Sequence, residues 1–372
     1  MRILVTGATG FIGSHAVASL LRAGHTVRVF VRDPAKLGRV LGPLDLREQD
    51  VEVAIGEVGD SNSIASALEN CQGLLHCAGI FSPERQDETR LIATNVEGTR
   101  TVLGVAATAN LERVVYVSSM LALFPPSGDT MTAEDDVARP STMYAKTKAD
   151  AERIARSFQP SDQALEARPV AANQEGGTGH RPGQPDDQEM MPLTIVYPSS
   201  VHGPHDPTFS IGPQLVAEAL DSGSVLVTEG GLATTDVRDL AAMVARIFDG
   251  GTSERRLMAP SFYVRHDHYH ALLESLTGRS LAAKRIPGWL LRVFGRFGDV
   301  AQRLGRNVQL TYEAAEVLTR SVPVDDTEAR RLLGGEPITD EDSFRDLIAW
   351  MVEVGHLDAE SAGDVVRTTG QG

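Results

Sequence analysis

The turn at residues 6–13 constrains this chain more than any other feature. Arg2–Thr6 is a short apolar run that passes directly into Thr6-Gly7-Ala8-Thr9-Gly10-Phe11-Ile12-Gly13. Helical periodicity follows over Phe11–Ala23 (Phe11, Val17, Leu20, Leu21) and stops at Gly24, a natural helix end. Glycines at 7, 10 and 13 let the backbone turn tightly, approach a pyrophosphate and pack the helix close against the strand. The helix N-terminus then stabilises the negative charge. The spacing, TGxxGxxG, is one residue wider than the usual GxGxxG. A plain connecting turn is the alternative. The position between a terminal strand and a helix favours a dinucleotide site held by Gly7, Thr9, Gly10, Phe11, Ile12 and Gly13.

The following residues extend this βα unit into a series. Strand signals recur at Thr26–Val31, Val51–Ile55, Gly73–Cys77, Arg113–Ser118 and Leu193–Tyr197. Helical signals lie between them at Asn62–Leu68, Glu88–Ala109 and Thr142–Phe158. Such alternation predicts an α/β, Rossmann-type doubly wound parallel sheet with right-handed crossovers. Residues 1–203 form the expected dinucleotide-binding domain. Within it, 159–191 is rich in Pro, Gly, Gln and Asp and reads as a disordered insertion. Residues 204–357 read mainly as a smaller C-terminal α/β substrate-binding region, with helices at Val237–Phe248 and His268–Thr277 and with parts returning to the core. The polar stretch 358–372 reads as a loose tail.

Composition narrows the function. The 372 residues carry a net charge of −15, a field that repels nucleic acid. Two cysteines, Cys71 and Cys77, are too few for a disulfide framework and fit a reducing compartment. No leader pattern and no run of about 18 apolar residues is visible, so a cytoplasmic protein without a transmembrane helix is expected.

The end of the second strand bears on which dinucleotide binds. An NAD site places an acid there to hold the ribose 2′-hydroxyl. Here Val31 stands at that position and Arg32 follows. Arg22, Arg28, Arg32, Lys36 and Arg39 make this stretch basic in an acidic chain. A guanidinium engages a 2′-phosphate in bidentate fashion, so the pattern points to NADP. Asp33, which could serve a 2′-hydroxyl, leaves NAD as the alternative.

A second constellation lies downstream. Tyr144 and Lys148 stand at i, i+4 on one helical face, whereas Lys146 does not. An ammonium beside a phenol favours the phenolate, which would bring the tyrosine towards its working range. A buried strand ends in Ser118-Ser119, at the end of a parallel sheet where ligands bind. A serine hydroxyl there can hydrogen-bond a carbonyl or an alcohol.

Together these motifs resemble the extended short-chain dehydrogenase/reductases, the group of sugar-nucleotide epimerases and dihydroflavonol reductase-like enzymes. The resemblance rests on TGATGFIGSH at 6–15, HCAG at 76–79, TNVEGT at 94–99, YVSSM at 116–120, YAKTK at 144–148 and PSSVHGP at 198–204. It spans about residues 1–357, interrupted by the insertion, and VRVFVRDPAKLGR at 27–39 is similar to the reductase branch. It implies Ser119, Tyr144 and Lys148 as the catalytic triad, with Lys148 also on the nicotinamide ribose. It further implies cofactor contacts at Arg32, Arg39, Glu57, Val58, Cys77, Ala78, Gly79, Asn95 and Pro198. An NADP(H)-dependent oxidoreductase acting on a small carbonyl or alcohol follows, with a homodimer open. The alternatives are a nucleotide-sugar epimerase holding NAD and a non-enzymatic dinucleotide-binding regulator. Met120-Leu121 after Ser119 replaces the acid pair of the family's dehydratases, which disfavours elimination.

Other residues read as structural. His266 and His270, at i, i+4 in HDHYH, invite a metal but lack further ligands, so no metal is expected. Asp236 and Asp239 read as caps of the helix that follows. Residues 286–300, IPGWLLRVFGRFGDV, are amphipathic and read as a cap helix that packs, lines an apolar pocket or lies on a membrane surface.

Overall fold

Most apolar runs of the N-terminal half form strands covered on both faces, as parallel sheets require, and the edge run at 52–55 is the exception, with Ile55 exposed. The computed structural model describes residues 1–82, 85–125, 128–159, 191–303, 308 and 310–369. Its strands are β1 (Arg2–Thr6), β2 (Thr26–Val31), β3 (Glu52–Ile55), β4 (Gly73–His76), β5 (Arg113–Val117), β6 (Leu193–Tyr197), β7 (Ser200–His202), β8 (Ser224–Val227), β9 (Gly231–Asp236), β10 (Arg256–Met258), β11 (Phe262–Arg265) and β12 (Ala282–Arg285). Seven of them make one sheet in the order β10-β6-β5-β4-β1-β2-β3, every neighbour parallel. This is the Rossmann order with β10 added beyond β6. Strand order reverses between β1 and β4, so the crevice at their C-terminal ends is where such sheets bind ligands.

Helices cover both faces of the sheet. Those on the sheet are α1 (Phe11–Arg22), α2 (Ser61–Leu68), α3 (Gly98–Ala106), α4 (Met143–Ser157) and α6 (Val237–Phe248), and the C-terminal part adds α5 (Ile211–Ser222), α7 (His266–Thr277), α8 (Gly288–Arg303), α9 (Tyr312–Thr319) and α10 (Asp340–Glu353). Successive residues of β1 alternate between the layers. Ile3 and Val5 pack with Val17, Leu20, Leu240 and Val244 of α1 and α6. Leu4 packs with Val102, Leu103, Ala151 and Ala155 of α3 and α4 on the other side.

Residues past 204 contribute β10 and α6 to the main sheet and also build a separate core. The β11-β9-β7 sheet and the β12-β8 pair carry it, around Leu220, Val225, Leu273, Phe344 and Leu347.

Several expectations change. The helix expected over 88–109 is interrupted: Glu88–Leu91 and α3 flank a π-helical stretch at Ile92–Glu97, which turns Asn95 inward. Asp236 caps α6 through the Arg238 N–H, but Asp239 accepts instead from the Ile338 N–H. Residues 359–369 are not a loose tail. They form short helices at Ala359–Ala362 and Asp364–Thr369, with Ala362 and Val365 buried in the C-terminal core. The 159–191 segment lies outside the described residues except at its ends. Of these, Gln159 donates to the Leu193 and Arg255 carbonyls.

Candidate active site

The glycine turn is shaped by what surrounds it. Gly7 has φ +78°, and a Cβ there would lie 2.6 Å from the Ala78 nitrogen. A Cβ on Gly13 would lie 2.1 Å from the Gly7 oxygen. Neither position admits a side chain, so β1, α1 and the end of β4 meet closely here. The Gly10 N–H donates to the Gly7 carbonyl, and Gly10 caps α1 without any side-chain acceptor. The first-turn N–H groups of Phe11, Ile12 and Gly13, with Thr9 half-buried before them, thus fit an anionic group.

The basic stretch divides in two. Arg28 is drawn away by Glu52, at 2.8–2.9 Å, and by the Ala67 and Glu69 carbonyls that end α2. Arg22 donates to the Leu44 carbonyl. Arg32, Lys36 and Arg39 stay exposed. The Arg32 guanidinium is 64% exposed and stands 4.0 Å from the Glu57 carboxylate, itself 72% exposed. Asp33 accepts from the Ala35 N–H and caps the short turn at 34–36, so its carboxylate is engaged by its own backbone. Val58 meets Gly98, where a Cβ would lie 2.7 Å from its Cγ2.

At the end of β4, His76 is fully buried between two threonines. Thr6 Oγ1 lies 2.7 Å from Nδ1 and Thr99 Oγ1 lies 3.1 Å from Nε2. Thr99 gives its hydrogen to the Asn95 carbonyl at 2.7 Å, so it accepts from Nε2–H, and Thr6 donates to Nδ1. Burial, with Lys148 nearby, lowers the imidazole to about 3 and keeps it neutral. Cys77 donates its thiol to the Thr6 carbonyl, and burial raises that thiol to about 12, so it is no nucleophile. The Asn95 amide accepts from the Ile80 N–H and donates to the Ile80 carbonyl and to Thr147 Oγ1. Through these bonds Asn95 ties the loop carrying Ala78 and Gly79 to α4. Pro198 is buried beyond β6, its carbonyl held by the Met120 N–H.

Around the end of β5 stand the three expected catalytic side chains. Ser119 Oγ accepts from the Leu121 N–H at 3.2 Å. Tyr144 is in the first turn of α4 and is crossed edge-on by the Phe81 ring, centroids 4.8 Å apart. Lys148, one turn on, is buried with Nζ 3.4 Å from the Val117 carbonyl and 5.5 Å from the centre of the Tyr116 ring. The phenol does not follow expectation. Burial raises Tyr144 to about 12, where a lowered value was expected. Desolvation of the phenolate is the cause. Burial also lowers Lys148 to about 8, opposed by Glu152.

Glu152 was missed by sequence reasoning. Fully buried, it accepts from Ser118 Oγ at 2.7 Å, Arg156 Nε at 2.7 Å and Tyr197 Oη at 2.6 Å. Residues 144, 148, 152 and 156 fall every fourth position on one helical face, a spacing that could have revealed it. Glu313 was also missed. Its carboxylate accepts from the Thr142 hydroxyl at 2.6 Å and from the Ser141 and Thr142 N–H groups, tying α9 to the start of α4. No local signal links residues 172 positions apart.

The histidines of HDHYH turn to separate partners. His266 meets Thr228, His268 meets Asp340 and His270 meets the Leu281 carbonyl. No group of three or more metal-ligating side chains occurs among the described residues.

Residues 3–256 match the model of the NAD dependent epimerase/dehydratase family. The chain is 27% identical over 362 residues to sterol demethylase protein B of Methylococcus capsulatus, covering 96% of this chain and 100% of that protein. It is 36% identical over 121 residues to dihydroflavonol 4-reductase of Zea mays, covering 32% of this chain and 34% of that one. Its fold is similar to UDP-glucuronic acid 4-epimerase from Bacillus cereus in complex with NAD. The TM-score is 0.68 at 15% identity, over 95% of this chain and 99% of that one.

Proposed function

The chain belongs to the NAD dependent epimerase/dehydratase family, an NAD(P)-dependent oxidoreductase by that membership, and we propose that it reduces the ketone or aldehyde of a small apolar substrate with NADPH, or runs the reverse oxidation. One observation carries the reading. The half-buried phenol of Tyr144, raised by desolvation and so in its acid form at neutral pH, stands one helical turn from the buried Lys148. Reduction of a carbonyl needs such a proton donor, and Phe81, 53% exposed against Tyr144, gives the mouth an apolar wall.

When bound, the nicotinamide supplies or accepts the hydride. The residues of the chain do the rest. The α1 N-terminus and the Gly7–Gly13 backbone would hold the pyrophosphate, and Arg32 and Arg39 would hold the 2′-phosphate. Ser119 Oγ–H orients the carbonyl oxygen, and Tyr144 gives it a proton. The Lys148 ammonium draws negative charge towards the phenol and holds the nicotinamide ribose. The dipeptide Met120-Leu121 offers no acid–base pair for elimination.

Asp33 turns to the Ala35 N–H, which argues against a role on a 2′-hydroxyl. The test is a fluorescence titration with NADPH and NADH. NADPH should bind at least about tenfold tighter, and Arg32→Ala should remove about 1.4 kcal/mol or more of that preference. Equal binding, or NAD already held by the purified protein, would move an epimerase to first place.

A further inference from the structure

Helix α8 turns three glycines and Leu291 inward and most of its large apolar residues outward. The buried positions include Gly288, Gly295 and Gly298. A Cβ on Gly295 would lie 2.5 Å from the Thr311 oxygen, and one on Gly298 would lie 1.9 Å from that of Leu310. The outward face bears Trp289 (62% exposed), Val293 (39%), Phe294 (49%), Phe297 (67%) and Val300 (51%). At 100° per residue these fill an arc of roughly 140°. Soluble proteins expose apolar residues singly, and a contiguous band of this kind marks a contact surface.

Charge identifies what covers it. Residues 275–298 hold five basic side chains and no acid, in a chain of net charge −15. Lys284 and Arg285 are exposed on β12, and Arg296 lies beside the band, stacked 5.0 Å from the Tyr312 ring centre. An apolar arc flanked by basic residues is the pattern of a helix lying in a lipid–water interface. No described helix is long and apolar enough to cross a membrane.

We propose that α8 docks on the surface of an anionic lipid bilayer, its aromatic band at the acyl boundary and Lys284, Arg285 and Arg296 among the headgroups. This docking goes beyond the proposed reduction and holds whichever carbonyl is reduced. The hairpin of α8 and α9 reaches the site through Glu313, so the docked face is joined to the helix that carries Tyr144.

The test is co-sedimentation of the full chain with vesicles of phosphatidylcholine alone and of equimolar phosphatidylcholine and phosphatidylglycerol, with ultracentrifugation of the lipid-free protein. Binding to the anionic vesicles should be at least about tenfold the stronger. Lys284→Glu with Arg285→Glu should abolish that difference. Phe297→Ser with Val293→Ser should weaken binding at least about tenfold at unchanged unfolding temperature. Tryptophan emission should shift to the blue on binding, and Trp289→Phe should lose that shift while still sedimenting, because Trp350 is buried. Absence of binding, or binding indifferent to the Phe297 and Val293 changes, overturns the proposal. So does a dimer that the same two changes dissociate without any vesicle binding. None of these readouts depends on turnover, so failure here is separate from failure of the reductase reading.

Discussion

Ser118 donates its hydroxyl hydrogen to the buried carboxylate of Glu152 across 2.7 Å, tying the end of β5 to the middle of α4. These two elements carry Ser119 and Tyr144, so Glu152 fixes the frame on which the site stands. The carboxylate also holds Arg156 and Tyr197 and raises the Lys148 ammonium against its burial. Glu152→Gln keeps the shape but removes the charge. Its unfolding free energy should fall by about 2–4 kcal/mol, since Arg156 loses its compensation. Lys148 should lose its proton at lower pH, moving the alkaline limb of the rate profile in the acid direction. Urea unfolding and a pH–rate profile read the two effects separately. A stability loss with an unmoved alkaline limb would make Glu152 structural only.

Asn95 joins the loop after β4 to α4 through its whole amide group. Asn95→Ala leaves the half-buried Ile80 N–H and carbonyl without that partner. The expected cost is about 1–3 kcal/mol in all, since water reaches half-buried groups in part, read by urea unfolding. Cofactor affinity should fall with it, since the loop borders Gly7.

Three buried histidines make the fold acid-sensitive. Burial lowers His15 to about 4, His76 to about 3 and His202 to about 4. In the unfolded chain each titrates near 6.5. As pH falls below about 6.5, the unfolded state therefore takes up protons that the native state refuses. Stability conferred by the neutral imidazoles is complete above that value and is lost towards about 4. Three protons give a slope of about 4 kcal/mol per pH unit at its steepest. Urea midpoints at descending pH check this. His15→Gln should reduce the slope by about one proton, and a flat profile would contradict the burial argument.

Much of this architecture was legible in the sequence, and the reasons are local. Arg2–Thr6, Thr26–Val31 and Leu193–Tyr197 read as strands with their observed bounds because parallel strands buried on both faces are short, uninterrupted apolar runs. The glycine positions were legible because steric exclusion allows no other residue at 7 and 13. What was not legible depends on distant partners. Arg28 looked like part of a phosphate site until Glu52 and the end of α2 claimed it. The direction of the Tyr144 shift was misread because spacing reports the lysine but not the depth of burial. Glu313 and Phe81 reach the site from elements whose packing no local pattern encodes.

The most direct test is turnover itself. Purified protein with NADPH should oxidise one cofactor for each apolar ketone or aldehyde reduced, and Tyr144→Phe should lose about 10²–10⁴-fold in kcat while binding NADPH as before. Near-normal turnover by Tyr144→Phe would contradict the account, as would conversion of a nucleotide sugar with no net consumption of cofactor.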